Sequence, residues 1–591
     1  MFAKSLLMFT LGLVSSASAN NEFEQHRLLM QQLLEADQDR DAILAHDVAY
    51  AHHDAGHVVA PVHHAHEALH HDAVPHHDTL HHDAVPHHDT VHHPTHGCLD
   101  SRFCHRFSQF AKRNDMSSHA NHLLTTYYVV PDSLTIHEDS IHASLHLHEH
   151  EYYAQNNIDF RAAHLDLHVA LFQEGIMQVK IKAAEEEERF AISNTGIGIE
   201  WDQIKVQQHL HEFVKILEDG VLISGQDKVS YKIQFDPFRI IQYVNGMETV
   251  IVNDNDNLYY DAKDLHAVPA TPAANAAEEH LIEGYSVGMD FTVSARHMFG
   301  IPERATDFLL EETGYDKPYR LFNQDKFPHT LGQRAPLYGS APYVMGHSAH
   351  LDAAVAWMNS AETFVFINNA HLGKRTNNAF ISEGNALEFY LLGAEASPKH
   401  LQKKLSELTG YAPMPPIHSL GYNFAKYEPT SADKIIARNS DFSSYGFPVD
   451  VFWFDINYAQ EKEYTQFDYT EFSQDKVMAL NEAVHGAGRR FVAIVDPHVR
   501  ADKDFHVYEE GLKLQGKKTH DGQVQNIFIR DKAAKEPYHG YSWPGDSVWF
   551  DFLNEQAQEY YQSLFHPHVF KGTNYLYGIW NDMNEPSVFK D

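Results

Sequence analysis

The sequence predicts an α/β plus all-β protein: an antiparallel β-sandwich followed by part of a (β/α)8 barrel, behind a disordered His-rich N-terminal arm. Three observations carry this expectation. After about Ser133, apolar and polar residues alternate with period two through several runs. After about Pro415, short apolar runs ending in acidic residues alternate with helical patterns. Ahead of both, from His52 to His96, the chain is mostly His, Asp, Ala, Val and Pro.

At 591 residues the chain is too long for one core. Hydrophobic residues make up 43% and aromatics 12%, enough to build large cores. Forty-five basic residues against 81 acidic leave a formal charge of −36, which repels phosphate backbones and argues against nucleic acid as a partner. Two cysteines exclude a disulfide-dense scaffold and a four-cysteine zinc site. The anomaly is 47 histidines, whose ordinary titration near neutral pH offsets much of that acidity on mild acidification.

From the N-terminus, Lys4, the apolar stretch Ser5 to Val14 and the small residues Ala17-Ser18-Ala19 read as a signal peptide over 1–19, cleaved near Ala19. The apolar stretch is shorter than the roughly 18–20 residues needed to span a bilayer, and no other stretch reads as a membrane span. A secreted chain permits a disulfide, and Cys98 and Cys104 are close enough to form one small loop. Residues 20–97 are expected to hold an amphipathic helix from Glu22 to about Tyr50 and then the arm. In the arm, His70–Leu80 (HHDAVPHHDTL) is duplicated at His81–Val91. The arm lacks the apolar mass to offset its ordering entropy. Its His and Asp suit zinc, copper or nickel, but unpacked pairs make sites of low specificity, so no metal site is assigned.

Residues 98–414 are expected to form the sandwich. Ile141, Ala143, Leu145 and Leu147 alternate with His142, Ser144, His146 and His148; Leu165 to Val169 and Met177 to Ile181 repeat the pattern. Asn245-Gly246 between two β-type runs is a hairpin signal. His266 to Glu279 reads as a Pro/Ala-rich loop, and strands resume over Tyr285–Val293, Thr363–Ile367 and Ala386–Leu392. Residues 415–591 are expected to form the first half of the barrel: strands at Leu420–Phe424, Val449–Ile456, Arg490–Val495 and Tyr575–Trp580, with helices over Ala432–Ser440 and Lys476–Ala487. The acidic residues at the strands' C-terminal ends mark the edge where such barrels hold their chemistry.

The segment Gly578 to Phe589 (GIWNDMNEPSVF) puts Asp582 and Glu585 just past a buried strand, with Trp580 as an aromatic wall. An aromatic face stacks on a pyranose and a carboxylate attacks an anomeric carbon, so this pattern suits sugar chemistry; a cap on a following helix would use the same residues.

That segment resembles the nucleophile signature of glycoside hydrolase family 31, W-x-D-M-N-E. The resemblance continues through Cys98–Cys104 (CLDSRFC), Pro336–His347, Trp357–Thr363, VAIVDPHV (Val492–Val499) and SWPGDSVWFDF (Ser542–Phe552), and within the family it is strongest to the glucosidase II alpha-subunit branch. It covers about Cys98 to the end. It implies a mutarotase-like sandwich, a retaining α-glucosidase that trims N-glycans in the endoplasmic reticulum lumen, no cofactor, an oligosaccharide substrate and a non-catalytic beta subunit. By the same resemblance Asp582 matches the nucleophile and Glu585 a supporting glutamate. Asp455 matches a hydroxyl-binding aspartate, Ile494 and Trp543 subsite walls, and Asp325 an aspartate on a sandwich loop over the pocket. Ile494 also suits the core, Asp325 a turn and Trp543 plain packing, while His498 either orients the pocket or fills space.

The sequence departs from the family at Asn457-Tyr458 and at Lys426-Tyr427, where a planar arginine fork gives way to a point charge. About four barrel strands precede Asp591 where a closed barrel has eight. The sequence is therefore expected to be the N-terminal part of a longer enzyme, inactive alone because the family's acid/base residue lies on a later strand. The alternatives are a secreted or lysosomal α-glucosidase acting on maltose or starch, and a non-catalytic fragment with a metal-binding arm.

Overall fold

A strand with period-two alternation must bury one face, and in the computed structural model two large antiparallel sheets bury those faces against each other. The structure describes residues 97–120, 126–148, 161–261, 286–325, 330–368 and 373–589, apart from 100, 185, 188, 197, 203, 396, 429, 520–521, 523 and 532–535. These belong to one of the two units into which the chain divides, Pro86–Asp591. The expected signal peptide, the helix from Glu22 to about Tyr50, the His-rich arm and the loop His266 to Glu279 lie outside the described residues.

The nine-stranded sheet runs from Tyr127–Val129 at one edge to His297–Gly300 at the other; the ten-stranded sheet runs from Tyr319–Leu321 to Val214–Leu217. Ile141, Leu145, Leu165, Val169, Val179 and Leu391 from the first sheet share one core with Val287, Phe291, Val365 and Phe380 from the second. Trp357 closes that core, its ring stacked on Phe380 at 5.6 Å and its indole nitrogen donating to Ser382 Oγ at 2.9 Å. Asn245 (φ 53°) and Gly246 (φ 77°) make the turn between Arg239–Val244 and Met247–Val252. Two successive positive φ values fit the twist of a two-residue hairpin.

One helix, Arg102–Ala120, departs from the sequence expectation. It begins within the Cys98–Cys104 disulfide, and Phe103, Phe107, Phe110 and Ala111 pack on the outer side of the ten-stranded sheet against Phe364, Phe366, Ala379 and Ile381. The strands beneath are thereby buried on both faces, Phe364 and Phe366 toward the helix, Val365 and Ile367 toward the inter-sheet core.

Beyond helix Pro398–Thr409, whose N-cap Ser397 accepts from the His400 amide, four strands form a parallel sheet in chain order: Asn423–Ala425, Val451–Phe454, Arg490–Val495 and Tyr577–Asn581. Helices Ala432–Ser444 and Gln474–Gly486 cover it through Ile435, Val477, Leu480 and Val484. Phe454 and Phe491 stack at 4.8 Å inside this layer. The expected strand Val449–Ile456 is shorter because the Asp455 carboxylate accepts from the Ile456 amide at 2.7 Å and starts a turn. Leu420–Phe424 likewise divides into a turn, Ile417–Leu420, and the strand Asn423–Ala425. The simple strand–helix alternation also fails after the third strand. There a three-stranded antiparallel sheet intervenes (His498–Arg500, Gly540–Ser542, Gly545–Trp549), with helix His506–Leu514 and its own core of Val507, Phe528, Val548 and Phe550. Among the described residues no helix is long and apolar enough to cross a membrane.

Candidate active site

Parallel pairing brings the strand ends together. Phe454 pairs with Ala493 and Val495 with Asn581, so Asp455, Asp496 and Asp582 each stand one residue past the paired end of neighbouring strands. All three carboxyls therefore emerge on the same edge of the sheet.

Asp582 opens a tight turn. Met583 has φ 57° and is buried, the Ser587 amide donates to the Met583 carbonyl at 3.1 Å, and the Asn584 side chain donates to the Asp582 carbonyl at 2.6 Å. Burial raises the Asp582 pKa above the ordinary carboxylate value, and the charges of Asp455 and Asp325 add to the rise against a backbone hydrogen bond from Met583. Glu585 is raised by burial and then by Asp325 and Asp582, and its Oε2 has no hydrogen-bond partner. Asp325 stands on the loop after sandwich strand Tyr319–Leu321. Its field reaches both carboxyls, so the sandwich contributes to this centre. Tyr338 also comes from the sandwich: it is hydrogen-bonded to Asp325, and its hydroxyl pKa is raised by burial, then by Asp325, Glu585 and Asp582.

Asp496 is the innermost member, 2% exposed. Burial, then Asp582, Asp455 and Glu585, push its pKa up to about 7, against the hydrogen bond it accepts from Tyr464. His498 Nε2 lies 3.3 Å from Asp496 Oδ2, and its Nδ1 is 3.1 Å from Ser542 Oγ. The short distance suggests an ion pair, but burial and Lys462 push the imidazole pKa down to about 3 and Nε2 makes no hydrogen bond. The contact is one between a neutral ring and a carboxyl.

The aromatic walls are set by packing. Trp580 meets Trp453 edge to face at 5.5 Å, and the Trp453 indole nitrogen donates to Asn423 Oδ1 at 2.9 Å. Trp543 sits on the turn of the small sheet, against Phe589 at 4.6 Å and beneath Lys462 Nζ at 5.5 Å from its ring. Ile494 is 2% exposed and its carbonyl accepts from Tyr458 at 2.8 Å, so its side chain is core. A cleft opens beside Asp455, lined also by Phe424, Lys426, Trp453 and Asn457; Asp582 and Trp543 are not on its wall.

The structure thus gathers Asp325, Asp455, Glu585 and Asp582 into one coupled group of carboxyls. Asp496, Tyr464 and Tyr338 belong to the same centre; from sequence Asp496 is read only as the acidic end of strand Arg490–Val495, and the two tyrosines are given no role. The Asp-Pro-His run directly after a buried strand is the signal for Asp496; Tyr338 lies in the Pro336–His347 run that carries the resemblance, and nothing local marks Tyr464. Chemically, a half-buried carboxylate beside an inner carboxyl that still holds a proton near neutrality separates two protonation states. Asp496 is 2% exposed and too enclosed to touch a substrate.

Two family models match the chain: the glycosyl hydrolase family 31 TIM-barrel domain over residues 412–591 and the glycosyl hydrolase 31 N-terminal galactose mutarotase-like domain over residues 166–365. The chain is 30% identical over 383 residues to the glucosidase 2 subunit alpha of Schizosaccharomyces pombe, a match taking in 61% of this chain and 39% of that protein. It superposes on a crystal structure of a glucosidase II alpha subunit with a TM-score of 0.68 at 25% identity, covering 83% of this chain and 55% of that one. It also superposes on the ER glucosidase II heterodimeric complex of catalytic subunit and the binding domain of regulatory subunit, with a TM-score of 0.66 at 25% identity over 82% of this chain and 55% of that one. The chain spans about two-fifths of the length of the first curated relatives it matches.

Proposed function

The chain belongs to glycoside hydrolase family 31, and on that premise we propose that it carries the nucleophile and glucose-binding groups of a retaining α-glucosidase acting on terminal α-linked glucose. The observation that carries the proposal is the convergence of Asp582, Asp455 and Asp325 on one coupled centre built from strand ends and a sandwich loop. In this reading an Asp582 carboxylate oxygen bonds to the anomeric carbon, and the bond to the departing oxygen breaks with its electron pair leaving on that oxygen. Water then cleaves the glycosyl ester. The departing oxygen takes its proton from a second carboxyl about 5–5.5 Å from the nucleophile, a role we assign to none of the described residues. Asp455 and Asp325 bind sugar hydroxyls, Trp580 and Trp543 flank the ring, and Glu585 supports the nucleophile's turn.

The finer proposal is a setting in the endoplasmic reticulum, trimming N-linked glycans beside a non-catalytic subunit. It is supported by likeness to a glucosidase 2 alpha subunit and to a heterodimeric ER glucosidase II, and by the secretory signal read over residues 1–19. Domain limits of 98–414 for the sandwich and 415–591 for the barrel portion belong to the same proposal.

α-Glucosyl fluoride tests the activity, because fluoride departs with little help from an acid. First-turnover release of fluoride from the α anomer, with the glucosyl unit left on the protein, and none from the β anomer are expected, because attack of water on the ester needs a base that none of the described residues is assigned. A folded protein that releases fluoride from neither anomer, or yields β-glucose first, would overturn the proposal.

A further inference from the structure

The face of the nine-stranded sheet turned away from the core is lined with imidazoles. Strands Ser140–Leu147 and His164–Leu171 pair so that His142 stands directly opposite His168 and His146 opposite His164, with Ser144 opposite Asp166 between them. The rings of His142 and His168 are 4.7 Å apart, those of His146 and His164 4.2 Å apart, and His137 lies 4.8 Å from His142. Inward neighbours Ile141, Ala143, Leu165, Leu167 and Val169 are buried. The strand alternation therefore fixes the histidines on the outer face, with no freedom to slip by one residue.

We propose that this face binds a borderline divalent transition cation such as Zn²⁺, with His142 and His168 as the chelating cross-strand pair, His137 within reach, and Asp166 supplying countercharge. Among the described residues no three His, Cys, Asp or Glu side chains are already gathered so as to hold a metal ion. The unit present on the sheet is the cross-strand pair of rings meeting edge to face at 4.7 Å, with His142 Nε2 3.2 Å from Ser140 Oγ.

Two features favour a cation here over plain surface polarity. The His168 Nδ1 atom is buried and has no hydrogen-bond partner, so a lone pair or N–H is left without use. Imidazole is the commonest ligand of such cations, and Asp166 stands opposite Ser144 on the same face, between the two histidine pairs, as a nearby anion. The opposing charge is Lys180, paired across from His168, with Lys182 paired across from Asp166. Glu138 is engaged by His209 at 2.9 Å.

The test uses the full chain, so that its His-rich segment at 52–96 is present and read separately. Histidine ethoxycarbonylation by diethyl pyrocarbonate is mapped peptide by peptide at neutral pH, with and without added Zn²⁺. Loss of reactivity at His142 and His168 together is expected. In His142→Gln the Zn²⁺ protection of His168 should disappear, and in His168→Gln that of His142 should disappear. His146→Gln, two positions along the same strand, should leave the protection of both intact and guards against general loss of fold. No Zn²⁺ protection at either residue, protection at one alone, or protection of His168 that survives His142→Gln would overturn the proposal.

Discussion

Asp496 accepts the phenolic hydrogen bond of Tyr464 at the end of the third barrel strand, one position past the residue paired with Asn581. That bond works against protonation, yet the folded Asp496 pKa is pushed up to about 7. Burial is the first cause, and the charges of Asp582, Asp455 and Glu585 come next.

The pH dependence of stability follows with a definite sign. The folded pKa of Asp496 stands at about 7 against an ordinary value of 3.8. Folding therefore takes up a proton within that window, and the group's contribution to stability falls as pH rises through it. Asp496→Asn should narrow the loss of stability between about pH 4 and about pH 7.5 by on the order of a few kcal/mol. Urea melts at the two pH values check this; an unchanged gap would show that Asp496 titrates normally.

Tyr464→Phe removes the donor and leaves a buried acceptor without its partner. A loss of about 1–3 kcal/mol is expected, and less in the Asp496→Asn background, because the two residues share one bond. Equal losses in both backgrounds would separate the tyrosine from the carboxyl.

Much of the fold was legible because it rests on period-two burial and on strand–helix alternation. Ile141 to Leu147 and Arg490–Val495 follow their patterns closely. The helix Arg102–Ala120 was missed although Phe103, Phe107, Phe110 and Ala111 carry helical spacing; the histidines and arginines between them mask the stripe. The small sheet after Val495 was missed because its pairing is non-local, His498 meeting Trp549 across the intervening helix. In the site, Asp455 and Asp582 were readable from their own strands. Asp496 was readable only as a strand end, since its burial depends on Tyr464 and His498 arriving from other segments. Tyr338 lies in the resembling run Pro336–His347, but its place beside Asp325 is set by the sandwich loops and could not be read from that run.

Asp325 raises the pKa of both Asp582 and Glu585. Asp325→Asn should therefore move the acidic limb of first-turnover fluoride release from α-glucosyl fluoride to lower pH, whatever it does to the height of the profile. A limb that stays in place would remove Asp325 from the electrostatics of the nucleophile.

The stacked pair Phe454 and Phe491 holds the second and third strands to the covering helices. Phe454→Ala should cost about 3–5 kcal/mol and should reduce fluoride release, because Asp455 follows directly on that strand. Chemical denaturation reads the first effect; a cost near zero would mean the layer is loosely packed.

Asp582 as nucleophile is tested most directly by trapping. A 5-fluoro-α-glucosyl fluoride carries a leaving group that needs little acid assistance, and its ring fluorine slows hydrolysis of the ester. Intact mass should rise by one fluoroglucosyl unit, and peptide mapping should put the adduct on Asp582, with no adduct in Asp582→Asn. An adduct on another carboxyl, or undiminished labelling of Asp582→Asn, would contradict the assignment.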